Sequence, residues 1–181
     1  MRLPSATRDT FPENLQYVYD RNARDGRLPN IFASMGNNPQ VLRAYLRLGN
    51  GLWTSCGLEV GTRELAILRT AILHHSAYEW HQHVRIGKEA GLRAAQINAL
   101  HDWRTATVFS SMQRAVLGYV DAVAATEPPP QEVHDELAKH VSAGTIVGVN
   151  LLAGYYGMTA KFLGAMEVTP EEAFVGWQVA E

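Results

Sequence analysis

Apolar positions recur at helical spacing along most of this 181-residue chain. From Pro39, the residues Val41, Leu42, Tyr45, Leu46 and Leu48 mark one face of a helix predicted to run to Trp53. Pro39 suits the first turn because its missing N–H has no intrahelical partner there. The stretch 63–91, RELAILRTAILHHSAYEWHQHVRIGKEAG, reads as two amphipathic helices meeting at a polar corner. A short helix follows over 93–101, then another over 110–125 with Val116, Leu117 and Val120 on its apolar face. Pro128, Pro129 and Pro130 end it, since consecutive prolines cannot lie inside a helix. Residues 131–139 form a polar, exposed helix, and 142–166 a long one rich in Gly148, Ala153, Gly154, Gly157 and Ala160. Small residues let another backbone come close, so this last segment is expected to be the central or interface helix.

The first 37 residues differ. Pro4, Pro12, Pro29 and the break Gly36-Asn37-Asn38-Pro39 interrupt them, leaving one periodic segment at 15–21. They are read as an N-terminal arm with one or two short helices, ahead of a single helical domain over 38–181. No period-2 alternation bounded by hairpin turns is found, so the fold class is all-α.

Composition narrows the picture. Apolar residues make up 46% and charged residues 19%, which is a globular balance. The net charge of -2, with no lysine–arginine stripe, points away from nucleic acid as a partner. The longest apolar stretch, 145–162, is interrupted by Asn150 and Lys161 and is shorter than the roughly 20 residues that span a bilayer, so no membrane partner is expected. The amino-terminal residues carry charges and prolines where a signal peptide has an apolar run, and a cytoplasmic location is expected. Cys56 is the only cysteine, which rules out an intrachain disulfide, a CxxC pair and a thiolate-rich metal site.

The candidate chemistry lies in the corner. At about 100° per residue, Glu79, His83, Ile86, Gly87 and Ala90 share a face flanked by Trp80 and Val84, while Tyr78, His81, Gln82, Arg85, Lys88 and Glu89 fall on the other side, so His81 is expected in solvent. Glu79 and His83, at i and i+4, meet on the helix surface. Glu64 shares a face with Leu68, Ala71 and His75. Taken singly, Glu64 is explained by a favourable first helical turn, and the Glu79–His83 pair by a packing hydrogen bond. Three such groups at one corner favour a proton-transfer site, because buried carboxylates and imidazoles have shifted ionisation. A metal is not expected: His81 points away from His83, and no H-x-x-x-H pair accompanies His74, His75 and Glu79.

The pattern R-E-L-A-I-L-R-x-A at 63–71, Y-E-W-x-x-H at 78–83 and A-G-L at 90–92 resembles the carboxymuconolactone decarboxylase family, which includes the AhpD-like alkylhydroperoxidases. The resemblance extends upstream over 28–52 and downstream to the Tyr155-Tyr156 helix. It implies an AhpD-like helical bundle in a homo-oligomer, a trimer or hexamer, with the 142–166 helix and Trp53, Trp80 and Trp103 as packing elements. In AhpD-like members a glutamate, a CxxC pair and a histidine form the redox relay. Residue by residue these positions are Glu64, Ser76, Glu79 and His83, so both thiols are absent. A hydroxyl and a carboxylate cannot cycle through sulfenic acid and disulfide.

The decarboxylase branch implies cofactor-free lyase chemistry on a small carboxylated or lactone-type metabolite. His83 would be the acid and Glu79 or Glu64 would orient it. Ser76, Arg69 or Arg63, and Tyr156 of the tyrosine pair would contact the substrate. The alternatives are an alkylhydroperoxidase-like activity and a non-catalytic oligomeric small-molecule-binding protein.

Overall fold

The structure, a computed structural model, describes residues 1–180. Among them are nine α-helices: α1 (Gln16–Asn22), α2 (Asn30–Met35), α3 (Pro39–Ser55), α4 (Val60–Leu73), α5 (Ala77–Glu89), α6 (Ala94–Asn98), α7 (Ser111–Ala124), α8 (Gln131–Ala138) and α9 (Ala143–Ala165). No strand occurs among the described residues; one isolated antiparallel bridge joins Arg24 and Arg27.

Local chemistry sets the helix ends. The Asn38 side chain accepts the Val41 N–H ahead of Pro39. Ser110 and Gln113 form a reciprocal capping box on α7, and Ser142 caps α9 by accepting the Thr145 N–H. At the corner between α4 and α5, His75 takes a left-handed conformation with φ 52°. The Ser76 hydroxyl then caps α5 through the Glu79 N–H. Gly91, at φ 89°, closes α5 as the Leu92 N–H bonds back to the Gly87 carbonyl.

The central helix is α4, not α9. Every residue from Gly61 to Ala71 on α4 is buried, with α5, α7 and α9 packed around it. α9 buries one side against α3, α4 and α7 but leaves Val147, Leu151 and Met158 59%, 49% and 51% exposed. The N-terminal arm is fixed by its own cluster, in which Phe11, Leu15, Val18, Tyr19 and Leu28 gather on Leu42 of α3.

Residues after α9 run back across α5 and change its exposure. The Trp80 indole N–H donates to the Gly176 carbonyl, and the ring is fully buried. Tyr78, on the side of α5 away from Glu79, donates to Glu171 and packs on Ile31, Leu163 and Val168. His81, expected in solvent, is half-buried and accepts the Val175 N–H. His75 leaves the face of Glu64 because α4 stops two residues earlier, and it is exposed. Trp80 and Trp103 belong to the chain's own core rather than to an outward packing surface.

Candidate active site

Glu64, on α4, lies one helical turn inside the bundle with no solvent exposure, and a bare carboxylate there would be severely destabilised. Two cations resolve this. Arg63, the preceding residue, donates from Nε and Nη2 to Glu64 Oε1 at 3.1 and 2.9 Å. On the other side His83 Nδ1 meets Glu64 Oε2 at 2.7 Å. The remaining guanidinium nitrogen of Arg63 donates to the Trp53 carbonyl at 2.7 Å, and its carbon sits 4.3 Å from the centre of the Trp53 ring. Arg63 is therefore fully engaged in holding Glu64 and leaves little for a substrate.

His83 is held from both sides. Its Nε2 lies 3.5 Å from Glu79 Oε2, one turn earlier on α5, too long for a strong hydrogen bond and short enough for an ion pair. Both His83 and Glu79 are only 5% exposed. Burial pushes the His83 pKa down, but hydrogen bonds and charge from Glu64 and Glu79 outweigh it and raise it to about 9. Burial pushes Glu64 up, yet His83 and Arg63 together hold it below the usual carboxylate range. These contacts favour the imidazolium form of His83 against the Glu64 carboxylate.

An aromatic wall completes the site. The Tyr156 ring meets His83 edge-on, with centroids 5.0 Å apart, and Trp53 lies 6.0 Å from His83. Trp53 Nε1 donates to the Tyr156 hydroxyl at 2.7 Å, which leaves the Tyr156 proton free to donate elsewhere. Burial, then the charge of Glu79, raises the Tyr156 pKa well above its ordinary value, so it remains a neutral donor. Tyr45 stacks on Tyr155, with centroids 4.6 Å apart. Thr159 donates to the Tyr155 carbonyl, so the Tyr45 hydroxyl donates to Thr159. These rings, Glu79 and His83 line a cleft of about 1800 Å³ that opens between α3, α5, the N-terminal arm and the C-terminal residues.

The structure thus brings together Glu64, Glu79, His83 and Tyr156. Ser76 is adjacent but spends its hydroxyl on the α5 cap and does not line the cleft. Arg69 is a correction: α4 turns it away from the cleft, where it pairs with Asp121 at 2.6 Å and donates to the Leu100 carbonyl. Asp121 also accepts from Trp103 and pairs with Arg104, so Arg69 anchors α7 rather than a ligand. Trp53 and Tyr45 enter the site unannounced by local pattern, because both sit on α3, outside the corner where the acids and histidines cluster. Cys56 is buried beyond the site. Among the described residues no three His, Cys, Asp or Glu side chains are arranged to hold a metal ion.

Comparison with known proteins agrees with this fold. The sequence profile of the carboxymuconolactone decarboxylase family matches residues 39–122, which span α3 to most of α7. The Escherichia coli (strain K12) protein YnjA is 31% identical over 71 residues, a match covering 39% of each chain. A crystal structure of an Agrobacterium tumefaciens protein of unknown function, grouped with the antioxidant defence protein AhpD, is 27% identical, covers 75% of this chain and 94% of that one, and has a TM-score of 0.71. The AhpD core of a peroxidase-related protein from Ralstonia eutropha JMP134 shares the fold over 99% of this chain and 97% of its own at a TM-score of 0.81, with 19% identity. Residues 39–122 thus match the carboxymuconolactone decarboxylase family, and the chain as a whole has the AhpD-like fold.

Proposed function

We propose that this protein carries out cofactor-free acid–base chemistry on a small carboxylated or lactone-type metabolite, with decarboxylation as the favoured step. The observation that carries the reading is His83, clamped between Glu64 and Glu79 on the floor of an aromatic cleft. Glu64 with Arg63 fixes the ring and its charge; Glu79 faces Nε2 loosely enough for a ligand to take its place. In the step itself the bond between the carboxylate carbon and the lactone-conjugated carbon breaks. Carbon dioxide leaves, and the electron pair delocalises into the lactone carbonyl. The Nε2–H of His83 protonates that carbon, and solvent restores the proton by way of Glu79. Tyr156 donates its hydroxyl to the developing enolate oxygen.

The test is a panel of lactones and β-keto acids assayed in deuterium oxide. One deuterium is expected at the carbon that loses CO2. His83→Ala is expected to cut turnover by about 100-fold or more, and Glu79→Gln to lower it while leaving the melting temperature within a few degrees. Turnover unchanged in His83→Ala would remove the proposal.

A second reading, hydroperoxide reduction, is supported by the likeness to the Agrobacterium tumefaciens protein. It requires a thiol, and Cys56 is the only one. Hydroperoxide reduction that disappears in Cys56→Ser would favour it over proton transfer. We also propose that copies assemble through the exposed Val147, Leu151 and Met158 face of α9, since a helix apolar on nearly all sides is normally buried.

A further inference from the structure

Two pairs of like charges stand at the mouth of the cleft, each at a spacing that disfavours folding. Arg43 and Arg47 are i and i+4 on α3, where two cations repel each other. Arg24 and Arg27 face each other across a tight turn, the Arg24 N–H donating to the Arg27 carbonyl and the reverse at 2.8 and 3.0 Å. Directly opposed residues of an antiparallel bridge project from the same side, and like charges there are also unfavourable. Asp25 and Gly26 hold that turn in left-handed conformations at φ 49° and 75°, and the Tyr19 hydroxyl fastens it to α1 by donating to the Gly26 carbonyl. The turn is therefore a fixed element rather than a loose loop.

All four arginines line the same cleft as His83. None has a carboxylate within 4.0 Å among the described residues, and all four are exposed. The acids that share the lining are largely committed elsewhere. Glu79 faces His83, Glu89 pairs with Arg85, and Glu171 accepts from Asn30, Tyr78 and Gln82. Glu172 also lines the cleft and makes no side-chain hydrogen bond or ion pair among the described residues. A chain of net charge -2 has thus concentrated uncompensated positive charge at one opening.

We propose that this mouth binds the multiply charged end of an extended ligand, one bearing two or more carboxylate or phosphate groups, while its reactive end reaches His83. Guanidinium forks match both kinds of oxyanion. A single carboxylate would engage one fork and leave the others repelling each other. The cleft also exceeds the roughly 300–1,000 Å³ of an ordinary small-ligand pocket, which leaves room for a charged handle. The proposal rests on the acid–base reading of His83 for the orientation of the ligand, not for its binding.

Binding of pyrophosphate, citrate and acetate to the full chain, followed by calorimetry and by Trp53 fluorescence at two salt concentrations, tests it. Pyrophosphate or citrate is expected to bind saturably and acetate not. The stronger of the two identifies phosphate or carboxylate as the handle. Arg43→Gln with Arg47→Gln, and separately Arg24→Gln with Arg27→Gln, are expected to weaken binding by about tenfold each with unchanged circular dichroism. The Lys counterparts should restore part of it. Intact anion binding by the native chain, with no deuterium incorporated from any lactone or β-keto acid of the panel, would remove the acid–base reading and leave this one standing. Binding of acetate equal to that of citrate and pyrophosphate, or no loss in either arginine pair, would overturn it. So would arginine variants that alter only the assembly state in light scattering, since a second copy would then be what the mouth holds.

Discussion

At the scale of single residues, the site is a balance of buried charge. Glu64 is safe in the core only because Arg63 and His83 both reach it. Replacing it by glutamine leaves two cations facing a neutral amide, and removing one partner of a buried ion pair typically costs about 3–5 kcal/mol. Glu64→Gln is therefore expected to lose about 3 kcal/mol in urea unfolding, and Glu79→Gln, at the cleft wall, clearly less. The pH dependence follows from the same contacts. His83 is raised from 6.5 to about 9, so its stabilisation is complete below 6.5 and disappears as the pH climbs through 9. Glu64 is lowered, so its share is present above 4.5 and disappears as the pH falls through its depressed value. Urea midpoints measured from pH 6 to 10 should fall across the alkaline limb in the native chain and flatten there in His83→Leu.

At the scale of elements, α9 tests which surfaces are packed within one chain. A Cβ on Gly148 would run into the carbonyl oxygen of Cys56 and lie 2.7 Å from its Cα, backbone atoms that cannot swing aside. Gly148→Ala is expected to destabilise by about 2 kcal/mol, since it forces α9 off the end of α3. Gly154, six residues along, has nothing within 4 Å of the same position. There the alanine should stabilise an isolated chain by about 0.5–1 kcal/mol through helix propensity alone. If Gly154→Ala instead lowers the melting temperature and the assembled mass together, a neighbouring copy packs against that glycine. Helices of this kind were legible from spacing because caps and apolar faces are local: α3, α4, α5 and α7 fall within a few residues of their sequence expectation. Exposure was not local. Tyr78 falls away from Glu79 on the α5 wheel and is buried by residues about 90 positions later.

At the scale of the whole molecule, the C-terminal residues act as a cover on α5. They accept from Trp80 at Gly176 and from Lys88 at Ala180, and Asn98 bonds Val179 in both directions. Truncation after Thr169 is expected to shift the Trp80 emission to longer wavelength and to lower the melting temperature by several degrees, because it uncovers an indole that is fully buried. No helix among the described residues is long and apolar enough to cross a membrane. Light scattering is expected to show a species larger than one chain, and Leu151→Glu, on the exposed α9 face, to reduce it.

By itself the sequence determined that the chain is helical, the approximate course of its longer helices, and that Glu64, Glu79 and His83 belong to one corner without thiols. Periodicity, capping residues and i, i+4 spacing are short-range, and they act before the chain has closed on itself. Only the tertiary structure decided that Arg63 guards Glu64 while Arg69 serves Asp121, although the two arginines stand six residues apart on one helix. The reason is geometric. Six residues at about 100° each leave the two side chains about 120° apart around α4, and what waits on each face is set by helices distant in sequence. The same holds for Trp53 and Tyr156, which meet His83 from α3 and α9 and give a charged corner the aromatic wall that makes it a site.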